Sequence, residues 1–161
     1  MRTVVFVATA LLAFSFNLAQ AKVDLVKVDK SERKMYLIDD GKIVKEFHVS
    51  LGANPKGHKH KKGDERTPEG IYILDYKKDD SSFYKAMHIN YPNQADIENA
   101  KEMGNRPGGR IMIHGQPNWL GSLPSLSKEL DWTHGCIAVT NSEMDEFMEL
   151  VDVGTTIEIE W

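Results

Sequence analysis

The chain has one cysteine among its 161 residues, Cys136, so it can form no internal disulfide. Positive charge is not in excess: 20 Lys and Arg stand against 24 Asp and Glu, a net charge of −4. Without an overall positive field to hold phosphates, a nucleic-acid partner is not expected. The most apolar stretch, Val4 to Leu18, is too short and too weakly apolar for a membrane-spanning helix. There are no internal repeats, no low-complexity tract and no linker, and the length suits a single domain.

The first 21 residues carry the layout of a secretory signal peptide. Arg2 gives a positive start, Val4 to Leu18 is the apolar run, and Ala19-Gln20-Ala21 is a small-x-small cleavage site. We therefore expect residues 1–21 to be removed and residues 22–161 to form the exported domain, in the periplasm or cell wall. Cleavage leaves 140 residues with 19 basic and 24 acidic groups, net −5. That is enough chain to bury a core without staples, and a monomer with no membrane span is expected. The absence of a cysteine at the cleavage point argues against a lipid anchor. In an oxidising compartment a free thiol is a liability. A lone exported cysteine is thus buried and inert, paired with another chain, or kept for chemistry.

Most of the chain reads as short strands. Val23 to Val28 alternates apolar and polar residues, Lys34 to Ile38 and Ile43 to Val49 flank an Asp40-Gly41 turn, and Ile71 to Leu74 and Phe83 to Ile89 follow. Residues 52–70 form a long loop rich in Gly, Lys, His and Pro. Arg110 to His114 is a short apolar strand. Helices are expected at Asp96 to Met103, Leu123 to Leu130, and after Thr140. At the last of these, Thr140-Asn141-Ser142-Glu143 has capping-box spacing, and Met144, Phe147, Met148 and Val151 share one stripe. Thr155 to Trp161 is the last strand. The fold class is mainly β with a few short helices.

Two segments can carry chemistry. In Thr133-His134-Gly135-Cys136, the thiol needs a base and backbone N–H groups aimed at a developing oxyanion, and Gly135 permits the tight conformation that would aim them. In Ile111-Met112-Ile113-His114-Gly115, a histidine ends an apolar strand, a rigid place to hold a base. Each half alone has a bland reading: a tight turn with a buried thiol, and a satisfied structural histidine. A thiol tuned for catalysis is expected to ionise below the ordinary cysteine range, and an ordinary or unreactive one would favour a passive wall-binding module. A metal site built on His58 and His60 is disfavoured, because Lys56, Lys59, Lys61 and Lys62 crowd the same loop. That loop reads as solvated, its lysines able to attract carboxylates. A papain-like protease is disfavoured because His114 precedes Cys136 in the chain.

Together, His114-Gly115 and Thr133-His134-Gly135-Cys136, with eighteen residues between His114 and Thr133, resemble the signature of the L,D-transpeptidase catalytic domain, the YkuD-type fold. Gly63-Asp64-Glu65-Arg66-Thr67-Pro68-Glu69-Gly70-Ile71-Tyr72 is similar to that family's strand entry. His88-Ile89-Asn90-Tyr91-Pro92-Asn93 and Cys136-Ile137-Ala138-Val139-Thr140-Asn141 are similar to a short, single-domain branch. The resemblance spans nearly all of Val23 to Glu160. It implies a β-sandwich or barrel, peptidoglycan stem peptides as substrates, and no cofactor or metal. It further implies Cys136 as nucleophile, His114 as base, and the Gly115 carbonyl as the group orienting the imidazole. Gly135 and Cys136 N–H groups would form the oxyanion hole, with Thr133 and His134 organising the pocket and Tyr91 forming a wall. The family usually has Asn or Arg two residues after the cysteine; here Ala138 stands at that substrate-binding position. A thioester resolved by an amine gives a crosslink; one resolved by water gives a trimmed stem or a released wall protein.

Overall fold

A computed structural model describes residues 22–120 and 130–161. The chain opens with a three-stranded meander of β1 (Leu25–Asp29), β2 (Lys34–Asp39) and β3 (Lys42–His48). The Asp40-Gly41 turn between β2 and β3 has positive φ at both residues, 48° and 71°, as a tight two-residue hairpin turn requires. Two long strands follow, β4 (Gly70–Ser81) and β5 (Tyr84–Ile89). Then come α1 (Gln94–Glu102), β6 (Met112–His114), β7 (Ile137–Ala138), α2 (Asn141–Leu150) and β8 (Thr156–Glu160). The helix expected over 123–130 falls almost wholly outside the described residues. Among the described residues no helix is long and apolar enough to cross a membrane.

The strands form one sheet in the order β3-β2-β1-β8-β4-β5-β6-β7. The last strand returns to lie parallel to the first, with Val26 level with Ile157 and Val28 level with Ile159. At one edge the chain runs on from β3 to Ser50, which exchanges two backbone hydrogen bonds with Ala138 of β7 at the other edge, at 2.9 and 2.8 Å. The sheet is thereby closed on itself as a barrel. Its inner face carries Val26, Val28, Leu37, Phe47, Leu74, Met87, Ile113, Ile137, Ile157 and Ile159, all buried in one core cluster. Helix α2 adds Met144, Phe147 and Val151 to that core, with Met148 packed against it. Its start is the expected capping box: Thr140 accepts from the Glu143 N–H, and the Glu143 carboxylate accepts from the Thr140 N–H at 2.9 Å.

Strand β4 is much longer than the Ile71–Leu74 segment expected from alternation. Its second half, Asp75 to Asp80, is polar on both faces, so its pattern hides the strand, and backbone pairing with β5 carries it. A β-bulge at Asp75 shifts its register. Strand β7 has two residues, too few for any periodicity to register.

The loop over residues 52–69 is pinned from beneath by Lys30. Its side chain is fully buried, and its three N–H donors meet Gly57 O, Thr67 O and Glu69 Oε1, each at 2.9 Å. Burial pulls the Lys30 pKa down while Glu69 pulls it back up. Replacing one member of such a pair leaves the remaining groups unpaired. We expect Lys30→Met to cost about 3 kcal/mol, because Glu69 is partly exposed and limits the penalty. Urea unfolding monitored by tryptophan fluorescence measures it, and an unchanged midpoint would count against this anchoring role.

Candidate active site

Thr133 builds the turn that carries the cysteine. Its backbone is locked to the segment after β3, donating to Leu51 O at 3.1 Å and accepting from Ala53 N at 3.0 Å. Its hydroxyl donates to Cys136 O at 2.7 Å and accepts from Gly135 N at 3.1 Å. Gly135 sits at φ 122°, and a Cβ there would lie 2.6 Å from Arg66 O. Both the dihedral and the contact demand glycine. Gly135 N–H is thus already spent on Thr133 Oγ1, contrary to its expected place in the oxyanion hole. Cys136 N–H donates to no acceptor among the described residues and is the open donor of the two.

Pairing of β6 with β7 brings the histidine to the cysteine. The ladder sets Ile113 level with Ile137 and His114 level with Ala138, in parallel. Level residues in a ladder share a face, and so do residues two apart. Ile113 and Ile137 face the core, so His114, Ala138 and Cys136 all face outward. Cys136 lies level with Met112, one strand across and two residues along from His114, a Cα separation of about 8 Å. Side chains of that length meet across such a diagonal.

The imidazole is held in one tautomer. His114 Nδ1 lies 2.6 Å from Gly115 O. A carbonyl only accepts, so Nδ1 carries the hydrogen and Nε2 presents a lone pair. Gly115 is itself fixed, its N–H donating to Lys85 O at 3.1 Å. A Cβ on it would come within 2.6 Å of Asn141 Oδ1, which accepts from Gln116 N at 2.8 Å. The ring is 4 % exposed and packs against Phe83 and Trp132, at centroid distances of 4.6 and 5.8 Å.

Burial dominates the electrostatics. It pushes the Cys136 thiol above the ordinary cysteine value, opposed in smaller measure by the Met112 N–H, the Lys59 ammonium and Arg110. Burial also pushes His114 below the ordinary histidine value, with the Gly115 carbonyl pulling weakly the other way. The expectation of a depressed thiol is therefore reversed: desolvation disfavours both charged forms, and the thiol donates toward Arg110 O at 3.7 Å.

The other expected residues divide. His134 is 91 % exposed and its Nδ1 sits 3.3 Å from Glu65 Oε1. Tyr91, expected as a wall, is packed inside. Its hydroxyl donates toward Pro107 O at 3.1 Å and Lys59 O at 3.4 Å, bracing the two loops that flank Cys136. Ala138 is buried beside His114. The lysine loop is only partly solvated: Lys61 and Lys62 are exposed, whereas Lys59 is buried against Asp64 at 2.6 Å. Both ring nitrogens of His58 are taken, by Glu69 N at 3.0 Å and Asp96 Oδ1 at 3.2 Å.

Several positioning residues escaped the sequence reading. Asp131 accepts from Arg33 at 2.8 and 3.2 Å and from Leu51 N at 3.0 Å, tying the approach to the cysteine turn to the β1–β2 connection. Nothing in the spacing links residues 98 apart in sequence. Phe83 and Trp132 are ordinary apolar residues until β5 and the cysteine turn bring them against His114. Only the adjacency of Trp132 to Thr133 hinted at a role.

Comparison with known proteins places the chain in a family. Residues 24–159 match the family model described as the L,D-transpeptidase catalytic domain. The YafK protein of Escherichia coli (strain K12), whose name gives its L,D-transpeptidase assignment as provisional, is 33 % identical over 124 residues. Those residues are 76 % of this chain and 40 % of YafK, so the chain spans well under half of that relative. The helical cell shape determining protein Pgp2 of Campylobacter jejuni, solved as a K307A mutant, superposes with a TM-score of 0.65 at 32 % identity, covering 86 % of this chain and 47 % of Pgp2. An Enterococcus faecium L,D-transpeptidase, solved as a C442S mutant, shares the fold at TM-score 0.59 and 18 % identity, over 86 % of this chain and 50 % of its own. The chain belongs to the L,D-transpeptidase catalytic domain family.

Proposed function

We propose that this domain is an exported peptidoglycan L,D-transpeptidase that works through a thioester on Cys136. The observation that carries the reading is the fixed tautomer of His114: with Nδ1–H given to Gly115 O, Nε2 is left as a base on the face shared with the thiol. In the forward step His114 Nε2 takes the thiol proton as Sγ attacks the carbonyl carbon of the third stem residue. The oxyanion forms against Cys136 N–H. The intermediate collapses, the C–N bond to D-alanine breaks, and His114 returns its proton to the departing amine. An amine of a neighbouring stem then attacks the thioester, gives its proton to His114, and releases Cys136 as the thiol. No cofactor enters either half.

Ala138 favours a second reading. A methyl group stands beside His114 where the family usually carries Asn or Arg, and this leaves the acyl group less enclosed against water. Hydrolysis would then trim stems or release wall-attached protein. Incubating residues 22–161 with a disaccharide tetrapeptide separates the two by mass spectrometry. A crosslinked dimer is the expected product; tripeptide without dimer would transfer the assignment to a hydrolase. Cys136→Ala should lower either product by more than about 10⁴-fold with its melting temperature retained.

The pH dependence follows from the two shifts. His114 is a base only when neutral, and its lowered value keeps it neutral throughout the range above the ordinary histidine value. The raised thiol stays protonated until pH passes about 8.5. Acylation of Cys136 by a carbapenem should therefore be flat near neutrality and fall only below about pH 6.5. Thiolate absorbance at 240 nm, read against Cys136→Ser, should appear only in the alkaline range. A thiolate signal at pH 6 to 7 that vanished in His114→Ala would show a preformed ion pair and overturn this account.

A further inference from the structure

The peptide group between Gly115 and Gln116 is engaged at both of its polar ends. Its oxygen accepts the Nδ1–H of His114 at 2.6 Å. Its N–H, on Gln116, donates to the side-chain oxygen of Asn141 at 2.8 Å. One chain of hydrogen bonds therefore runs from the imidazole through a rigid plane to Asn141. No step of the proposed acyl transfer engages Asn141.

The end of β7 puts Asn141 there. In the parallel ladder Val139 N–H donates to His114 O at 3.0 Å, and the next bond would run from Gln116 N–H to Val139 O. The chain instead turns into α2 at Thr140. Asn141, the first residue of that helix, offers its side-chain oxygen in place of the strand's carbonyl. The capping box between Thr140 and Glu143 locks the backbone on which Asn141 sits. Gly115 makes room for it. Its φ is not left-handed, so no dihedral demands glycine here. The contact does, since a Cβ would lie 2.6 Å from Asn141 Oδ1 and 2.9 Å from Tyr84 Cβ. His114 is 4 % exposed and Gln116 3 %, so bulk water is shut out from this peptide group.

We infer that Asn141 is a positioning residue for the reaction: through the Gly115–Gln116 peptide it holds His114 with Nδ1 protonated and Nε2 free to act as base. The inference rests on the acyl-transfer reading and adds the group that stands behind its base. Two physical effects act together. The first is orientation, because a peptide plane held at one end can rotate about its flanking bonds and one held at both ends cannot. The second is polarisation. Donation at the N–H and acceptance at the C=O both draw the amide toward its charge-separated resonance form, so each bond strengthens the other. When His114 takes the thiol proton, the positive charge on the ring meets an oxygen already made more negative. A neutral peptide thereby takes the orienting role that a carboxylate has in a triad, with no permanent charge beside a buried ring.

The test uses three substitutions in the whole protein. Asn141→Leu keeps the branched shape of the side chain and removes the acceptor. Asn141→Ala removes it with the least disturbance to α2, and Asn141→Asp keeps an acceptor oxygen at the same reach. Acylation of Cys136 by a disaccharide tetrapeptide should slow by about tenfold or more in Asn141→Leu and Asn141→Ala, in kcat rather than KM, and Asn141→Asp should recover most of it. Nitrogen NMR of isotope-labelled histidine should show His114 protonated at Nδ1 alone in the wild type and in Asn141→Asp. A mixture of Nδ1–H and Nε2–H tautomers should appear once the acceptor is gone. A purely structural residue would instead slow all three variants alike, lower their melting temperatures and leave the tautomer single. That result, or wild-type kcat in a folded Asn141→Ala protein, overturns the inference. If the wild type is acylated by no stem peptide or carbapenem while Asn141→Ala still shows mixed tautomers, the acyl-transfer reading falls and the hydrogen-bonded chain stands.

Discussion

Two backbone hydrogen bonds between Ser50 and Ala138 are the joint on which the site depends. They close a sheet that would otherwise end in two open edges, and they do so at the strand that follows the cysteine. Strand β7 has only two residues, and alone it could not fix anything. Held on one side by β6 and on the other by Ser50, its backbone has no freedom left. The same closure sets Thr133 against Leu51 and Ala53, so the cysteine turn is clamped at both ends. A nucleophile must be placed to within a fraction of an ångström to react efficiently, and a closed barrel supplies that rigidity without a disulfide.

Around this joint the structure spends buried polar groups sparingly and in matched sets. Lys30 uses three donors on three acceptors, and Asp131 ties Arg33 to Leu51 N. Tyr91 uses its hydroxyl to brace the loops on either side of the thiol. Each links segments far apart in sequence, and each lies behind the site rather than within it. The long loop over residues 52–69 has little regular structure of its own, yet its course is fixed from below. Lys59 shows the cost and use of this: an ammonium taken out of water is matched by Asp64, and its charge still reaches the thiol.

The readable parts of this fold were those where a residue's neighbours in sequence are also its neighbours in space. The Asp40-Gly41 hairpin, the Thr140 capping box and the stripe on α2 are local, and each stood where its pattern put it. The pairing of His114 with Cys136 was readable only as a motif, because the diagonal across β6 and β7 is a matter of register. What the motif could not carry was the use of individual atoms. Gly135 N–H was expected to face substrate, but the Thr133 hydroxyl captures it first. Tyr91 was expected as a wall of the pocket, but a hydroxyl with two carbonyl partners can be buried at little cost. The second half of β4 was invisible because a strand polar on both faces has no period, and with it went the bulge at Asp75.

The neutral state of the Cys–His pair bears on which acceptor the site can use. A preformed thiolate and imidazolium would attack readily, but the imidazolium could not then accept a proton from an incoming amine until the first leaving group had taken one. Starting from neutral partners, His114 takes up and returns one proton in each half of the cycle, and the pair ends each half uncharged. Burial behind Phe83 and Trp132 favours that neutral resting state and penalises any standing charge. The charge that develops is confined to the oxyanion and the transient imidazolium, which attract each other in a medium where attraction is strong. The same burial limits how much water lies beside the thioester. Desolvation around His114 thus works against hydrolysis, and the small side chain of Ala138 works for it. Under the proposed acyl-transfer chemistry, these two neighbours on one face of a two-stranded ladder act in opposite directions on the choice between an amine and water.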